Sequence, residues 1–110
     1  MAYPTKSQDG YDIVVLSDDV DLSCSPEARK AILASLASGN HTLVDLSAVT
    51  YIDSSGVASL VEGFQTAKKS DLRFGLIGVS EAAMSVLELA RLDKVFPIHS
   101  DLAARLKADG

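Results

Sequence analysis

Few residues in this chain have the type and spacing for chemistry, and most of those stand together. Tyr51-Ile52-Asp53-Ser54-Ser55-Gly56 sets a carboxylate and two serine hydroxyls directly before a helical pattern. Asp53 and Ser54 are good helix caps and Gly56 permits tight packing, so the run makes sense as architecture alone. The same run also presents a hydroxyl at a helix N-terminus. A phosphate placed there would gain from unpaired backbone N–H groups and the helix dipole. It would add about −1.5 to −2 charge. Because the dipole tolerates that charge, it would change the surface without melting the helix. A hydrolytic triad would need His41 or His99 to reach Ser55 by tertiary folding, and the GxSxG elbow is missing. The phosphate loop GxxxxGKS/T and the dinucleotide fingerprint GxGxxG are absent as well. One cysteine, Cys24, and two histidines far apart in sequence give no metal-ligand spacing. No metal or organic cofactor is expected, and His41 and His99 read as ordinary surface residues.

The elements that must position this run follow from shifts in apolar period. Tyr11-Asp12-Ile13-Val14-Val15-Leu16 is β-branched and aromatic and reads as a strand, followed by an acidic loop, Asp18-Asp19-Val20-Asp21. Ser25-Pro26-Glu27 opens a helix with Ser25 as cap, Ile32, Leu33 and Leu36 on one face, and Gly39-Asn40 as its stop. Thr42-Leu43-Val44-Asp45-Leu46 is short and mostly apolar, as in a strand buried on both faces of a parallel sheet. After the serine run, Val57, Leu60, Val61, Phe64 and Ala67 mark a long helix, with Lys68-Lys69 at the negative end of its dipole. Phe74–Val79 is a third strand, Ser80 caps a helix carrying Met84, Val86 and Leu87, and Val95-Phe96-Pro97-Ile98 is an edge strand. Ser100-Asp101 caps a last helix with Leu102 and Leu106 four apart. The order β-α-β-α-β-α-β-α implies right-handed crossovers and a mostly parallel sheet. A further N-terminal strand near Tyr3 is weakly signalled, and Pro4 would put it at an edge.

With 110 residues, 47% of them hydrophobic, the chain has room for one domain over 1–110. An unstapled core over about 11–106 is feasible, because folding at this size buries about 60–70% of the surface. The polar ends, about 1–9 and 107–110, read as loosely held. A lone cysteine points to a reducing compartment. A net charge of −5 argues against nonspecific binding to nucleic acid or anionic membrane. No apolar run approaches the roughly 20 residues that span a bilayer, and Met1–Lys6 lacks the apolar core of a signal peptide. The expected location is the cytoplasm, with no direct membrane insertion.

The stretch from Asp45-Leu46 through Ile52-Asp53-Ser54-Ser55-Gly56 resembles the signature of STAS domains, especially bacterial anti-sigma factor antagonists. In that signature a buried strand ends in D-L, and an apolar residue with D-S-S/T-G then opens a helix. Asp19-Val20-Asp21 is similar to the family's acidic-apolar-Asp element, and Ala90–Phe96 to its late helix-to-strand turn. The resemblance covers about residues 11–106. It implies an α/β STAS fold: a small, mostly parallel sheet with helices packed largely on one face. It also implies a binding module rather than an enzyme. The unphosphorylated antagonist would bind an anti-sigma factor that is also a GHKL-type serine kinase, freeing the sigma factor. Phosphorylation would fall on Ser55, with Ser54 the lesser acceptor and Asp53 and Gly56 in support, and a serine phosphatase would reverse it. The docking surface would include Asp19 and Asp21 and the outward residues Ala58, Ser59, Glu62, Gly63 and Thr66. Three positions depart from the family pattern: Asp18, Ala58 and Ser70-Asp71 stand where glycine is frequent. A second function fits the resemblance, a STAS subunit docking on the ATPase of an ABC-type phospholipid transporter. A third, from another class, is a small hydrolase using Ser55.

Overall fold

In the computed structural model, which describes residues 3–110, the sheet order is the chain order. Strands β1 (Thr5–Gln8), β2 (Tyr11–Val20), β3 (His41–Ile52), β4 (Phe74–Ile77) and β5 (Ile98–His99) lie side by side. Only β1 runs antiparallel to its neighbour; β2, β3, β4 and β5 are parallel. Helices α1 (Ser25–Ala37), α2 (Ser54–Lys69), α3 (Glu81–Leu89) and α4 (Leu102–Asp109) make or follow the crossovers. Alternation along the strands divides the core. Val14, Leu16, Val44, Leu46 and Leu76 join α1, α2 and α3 in the main cluster. Tyr11, Ile13, Leu43 and Ile77 turn to the other face, where Leu102 and Leu106 of α4 meet them. The sheet is therefore mostly parallel with helices largely on one face, the architecture of the STAS expectation.

Several boundaries differ from the sequence reading, each for an identifiable reason. β2 runs through Ser17-Asp18-Asp19 to Val20, taking in most of the expected acidic loop. β3 continues six residues past Leu46, to Ile52. Register against β2 shifts between Val15 and Ser17 and again between Asp18 and Asp19, and each shift adds a residue to β3. The two bulges break the period of two after Leu46, which hides the strand in the sequence. The last strand is Ile98–His99 instead of Val95–Ile98, because Phe96 turns into the main core and Val95 faces out. The N-terminal strand does exist, at the edge, starting just after Pro4. Ser25 is not a cap: Cys24 precedes the helix without a side-chain bond, and Ser25 is buried inside α1. Asp101 alone caps α4, accepting the Ala104 N–H at 2.8 Å. The ends are also better tied than their polarity suggests. β1 is paired along Thr5–Gln8, and Asp109 accepts hydrogen bonds from Tyr11 and Arg105.

Three helices end in one way. After α1, Gly39 takes φ +81°, its N–H reaches Leu36 O and the Asn40 N–H reaches Ser35 O. After α2, Asp71 takes φ +58°, with its N–H on Lys68 O and the Leu72 N–H on Ala67 O. After α3, Arg91 takes φ +60°, with its N–H on Glu88 O and the Leu92 N–H on Leu87 O. All three are Schellman caps, and only the first has the glycine that left-handed backbone favours. Asp18, at φ +59°, takes the same left-handed backbone inside β2. Two of the three departures from the family's glycines, at Asp18 and Asp71, thus keep the backbone shape without the glycine. Left-handed backbone costs an L-residue roughly 1–2 kcal/mol, less for aspartate. Asp71→Gly should therefore raise the unfolding free energy by up to about 1 kcal/mol, whereas Asp71→Ala should lower it. Urea denaturation checks this; an alanine variant more stable than the glycine variant would refute it.

Candidate functional site

The serine run sits where the carboxyl ends of β2 and β3 meet the start of α2. The Asp53 N–H donates to Val20 O at 3.3 Å, so the residue still belongs to the sheet. Its side chain already belongs to the helix. Asp53 Oδ1 accepts the Ser55 N–H at 2.9 Å, the Gly56 N–H at 3.3 Å and the Ser55 hydroxyl at 2.5 Å. The backbone N–H of Leu22, from the loop between β2 and α1, faces the same carboxylate. The Ser55 hydroxyl, ahead of these backbone donors, holds the Asp53 carboxyl below the usual carboxylate range against a smaller opposing effect of burial. The N–H groups that the sequence left free for an anion are thus taken by Asp53 itself. Ser55 is half-buried and oriented, while Ser54 is exposed.

Gly56 is required for this geometry. A Cβ there would come within 2.9 Å of Val20 O and 2.7 Å of the Ile52 side chain, so only glycine lets the first turn of α2 rest on the strand ends. Beside it, Asp21 accepts both the N–H and the hydroxyl of Ser23, which lowers its pKa, while the nearby Asp53 charge opposes this. Asp19 is exposed and accepts the Thr50 hydroxyl at 3.0 Å.

The helix face assigned to docking is only partly free. Ala58 is exposed, and Glu62 and Thr66 are half-buried. Ser59 and Gly63 are not outward: both are buried, Ser59 to 6% exposure. Ser59 Oγ lies 3.2 Å from Ser55 O and 3.4 Å from Ser25 O of α1. A Cβ on Gly63 would come within 2.6 Å of Ile32 and 3.1 Å of the Phe74 ring. These small residues let α1 and α2 approach each other, so a partner cannot use them. Glu62 is also engaged, in a two-pronged ion pair with Arg29 of α1 at 2.7 and 2.8 Å.

Neither histidine serves Ser55. His41 lies at the start of β3, against the Tyr11 ring, where Nδ1 accepts the Arg73 N–H. His99 lies on β5, two strands beyond β3. Among the described residues no group of His, Cys, Asp and Glu is arranged to hold a metal ion, and no helix is long and apolar enough to cross a membrane. The arrangement offers a hydroxyl oriented by a neighbouring carboxylate, with neither histidine within its reach.

The family model for the Mlab, STAS domain matches residues 5–102. The chain belongs to the STAS domain family. Its fold is that of the solved anti-sigma factor antagonists. One from Mycobacterium paratuberculosis is 29% identical, with 97% of this chain and 92% of that chain covered and a TM-score of 0.87. A STAS domain protein from Planctomyces limnophilus is 22% identical over 98% and 97% of the two chains, with a TM-score of 0.86. The phosphorylated Bacillus cell fate determinant SpoIIAA is 14% identical over 99% and 100%, with a TM-score of 0.74.

Within this STAS domain, two exposed side chains flank the serine run that the motif does not mark. Leu22 is 74% exposed and Tyr51 51% exposed, and they are among the few large apolar residues on the surface. Tyr51 pairs in register with Asp19 and immediately precedes the buried Ile52. The signals were present: a leucine at the tip of a polar loop, and a tyrosine one residue out of step with an inward isoleucine.

The titration of Asp53 tests the site's geometry. Its carboxyl should titrate below the usual value near 3.9. Its share of stability is then present above that value and lost as pH falls through the lower native midpoint. Ser55→Ala removes the largest contributor and should move the midpoint upward. Carboxyl NMR of both proteins measures this; an unmoved midpoint would separate the hydroxyl from the carboxylate.

Proposed function

We propose that this STAS domain is an anti-sigma factor antagonist working as a phosphorylation-regulated partner switch. In this reading the unphosphorylated form docks on an anti-sigma factor that is also a GHKL-type serine kinase, and a sigma factor is released. The kinase phosphorylates Ser55, docking ends, and a serine phosphatase restores the first state. The protein would act in the cytoplasm as a binding module and not as an enzyme. The observation that carries the reading is the Ser55 hydroxyl, fixed at the start of α2 with Leu22, Tyr51 and Ala58 exposed around it. The solved SpoIIAA structures in unphosphorylated and phosphorylated forms give it further support.

The physics of the off state follows from Asp53. A phosphate on Ser55 removes the hydroxyl proton now donated to Asp53 and sets a dianion against a carboxylate that already holds the local N–H donors. Asp21, whose charge already opposes that of Asp53, adds to the repulsion. At the centre of a docked face that charge must be desolvated or expelled, and either weakens the complex. Transfer to Ser55 first requires its Oγ to leave Asp53, whereas Ser54 is exposed.

A second reading, a subunit docking on the ATPase of an ABC-type phospholipid transporter, draws on the Mlab description of the matched family model. Affinity purification of the tagged chain from its native cell, with mass spectrometry of partners and phosphopeptides, separates the two. A GHKL-type kinase with phospho-Ser55 supports the switch. An ABC ATPase with unmodified serines supports transport.

Two sets of variants measure the docking surface. Ser55→Ala should abolish phosphorylation and keep binding, and Ser55→Asp should weaken it by about tenfold or more, or roughly 1.4 kcal/mol. Equal affinities would remove charge at Ser55 from the control of docking. Leu22→Ala and Tyr51→Ala should each weaken binding by about 1–2 kcal/mol, the range of apolar anchors, while leaving the unfolding midpoint nearly unchanged. Calorimetry with the captured partner reads both sets.

A further inference from the structure

Among the described residues, α4 is the helix that covers the face of the sheet opposite α1, α2 and α3, and that cover is held in an unusual way. α4 has eight residues, well below the ~12–15 at which a helix holds in water by itself. It brings little apolar surface: Leu102 and Leu106 are only partly buried, and its one buried residue is Arg105. The attachment is polar. Arg105 is 7% exposed, donates to Phe74 O at 3.1 Å and to Asp109 at 2.9 Å, and stands 5.6 Å from the centre of the Tyr11 ring. It lies where a side chain at Gly75 would be, so the glycine in β4 makes its berth. Asp109, in the last turn, accepts from Arg105 through one oxygen and from the Tyr11 hydroxyl through the other, with Arg73 at 3.5 Å.

We propose that α4 is a strap that opens as a unit from the folded sheet, clasped at its end by Asp109 between Tyr11, Arg105 and Arg73. The clasp is cooperative. Losing Asp109 leaves a buried guanidinium short of its counter-charge and a buried hydroxyl without an acceptor, and both are relieved when the helix swings into water. The rest of the molecule does not depend on it, because α1, α2 and α3 share the other cluster. Opening uncovers Tyr11, Ile13, Leu43 and Ile77, an apolar row across β2, β3 and β4. The strap is remote from the serine run in packing, so the inference does not rest on the function proposed above.

Hydrogen exchange with mass spectrometry on the full chain tests it. In the unmodified protein, amides of 102–110 should exchange sooner than those of β3 and α2. Asp109→Asn, which keeps the shape and removes the charge, should speed exchange in 102–110 by about tenfold or more with β3 and α2 unchanged. Tyr11→Phe removes only the hydroxyl and should give a smaller effect confined to the same segment. Protection of 102–110 equal to that of β3, acceleration of all segments in parallel, or no change in either variant would each overturn the proposal.

Discussion

The Asp53 carboxylate joins sheet to helix, and the exposed end of the molecule depends on it. A parallel strand that runs straight into a helix must change backbone geometry within one residue while satisfying the helix's first N–H groups. Asp53 does both, with its own N–H on Val20 O and its Oδ1 on the donors of Ser55 and Gly56. Gly56 then lets the first turn settle on the strand ends without a gap. Ser55 inherits its position from these constraints. Its hydroxyl is held by the group that caps the helix, so a change of charge at Ser55 acts on the cap directly.

The seating of α2 explains what the sequence concealed about its surface. An apolar stripe of Val57, Leu60, Val61, Phe64 and Ala67 assigns one buried side, and the sheet takes it. α1 then lies along a second side, and close helix contact selects small residues there. Ser59 and Gly63 look like a polar outer face in sequence and are a packed seam in space. The Arg29–Glu62 pair that spans the seam is largely exposed, and such pairs contribute about 0–1 kcal/mol. Apolar packing under it, Ala28 and Ile32 against Leu60 and the sheet, holds the helices. The face that α2 leaves open to a partner in the proposed function is therefore shorter than the helix, centred on its first turns around Ser54, Ser55 and Ala58.

Much of the fold was legible because local signals agreed with one another. The β2 start, the α2 stripe, the Ser80 cap and the edge position of the last strand each rest on one residue type in its usual role. The misreadings came where one residue type filled a role normally given to another. Asp71 and Arg91 close helices as glycine would, so of these three ends only the first carries the glycine signal, at Gly39. The second half of β3 carries two bulges, so Ser47 and Ala48, then Thr50 and Tyr51, face out in adjacent pairs and read as loop. Ser25 has the composition of a cap and is instead buried beside Ser59, because α1 starts one residue earlier than its proline suggests.

The aspartates connect these observations. A net charge of −5 reads in sequence as solubility and repulsion from polyanions. In the fold, much of that charge is used as hydrogen-bond acceptors where backbone or side-chain donors would otherwise go unpaired. Asp12 gathers Ser7, Ser35 and Asn40, tying β1, β2 and the end of α1 into one corner. Burial works against its ionisation, but those three donors prevail and keep its pKa low. Asp53 and Asp101 cap helices, and Asp109 fastens the last one. Part of the chain's acidity thus has structural work as hydrogen-bond acceptance. Around Ser55 the surface is negative as it stands, with Asp53 and Asp21 close enough for their charges to oppose each other. Under the proposed switch, a phosphate on Ser55 would add to that charge, so one modified hydroxyl would suffice to change the outcome of an encounter.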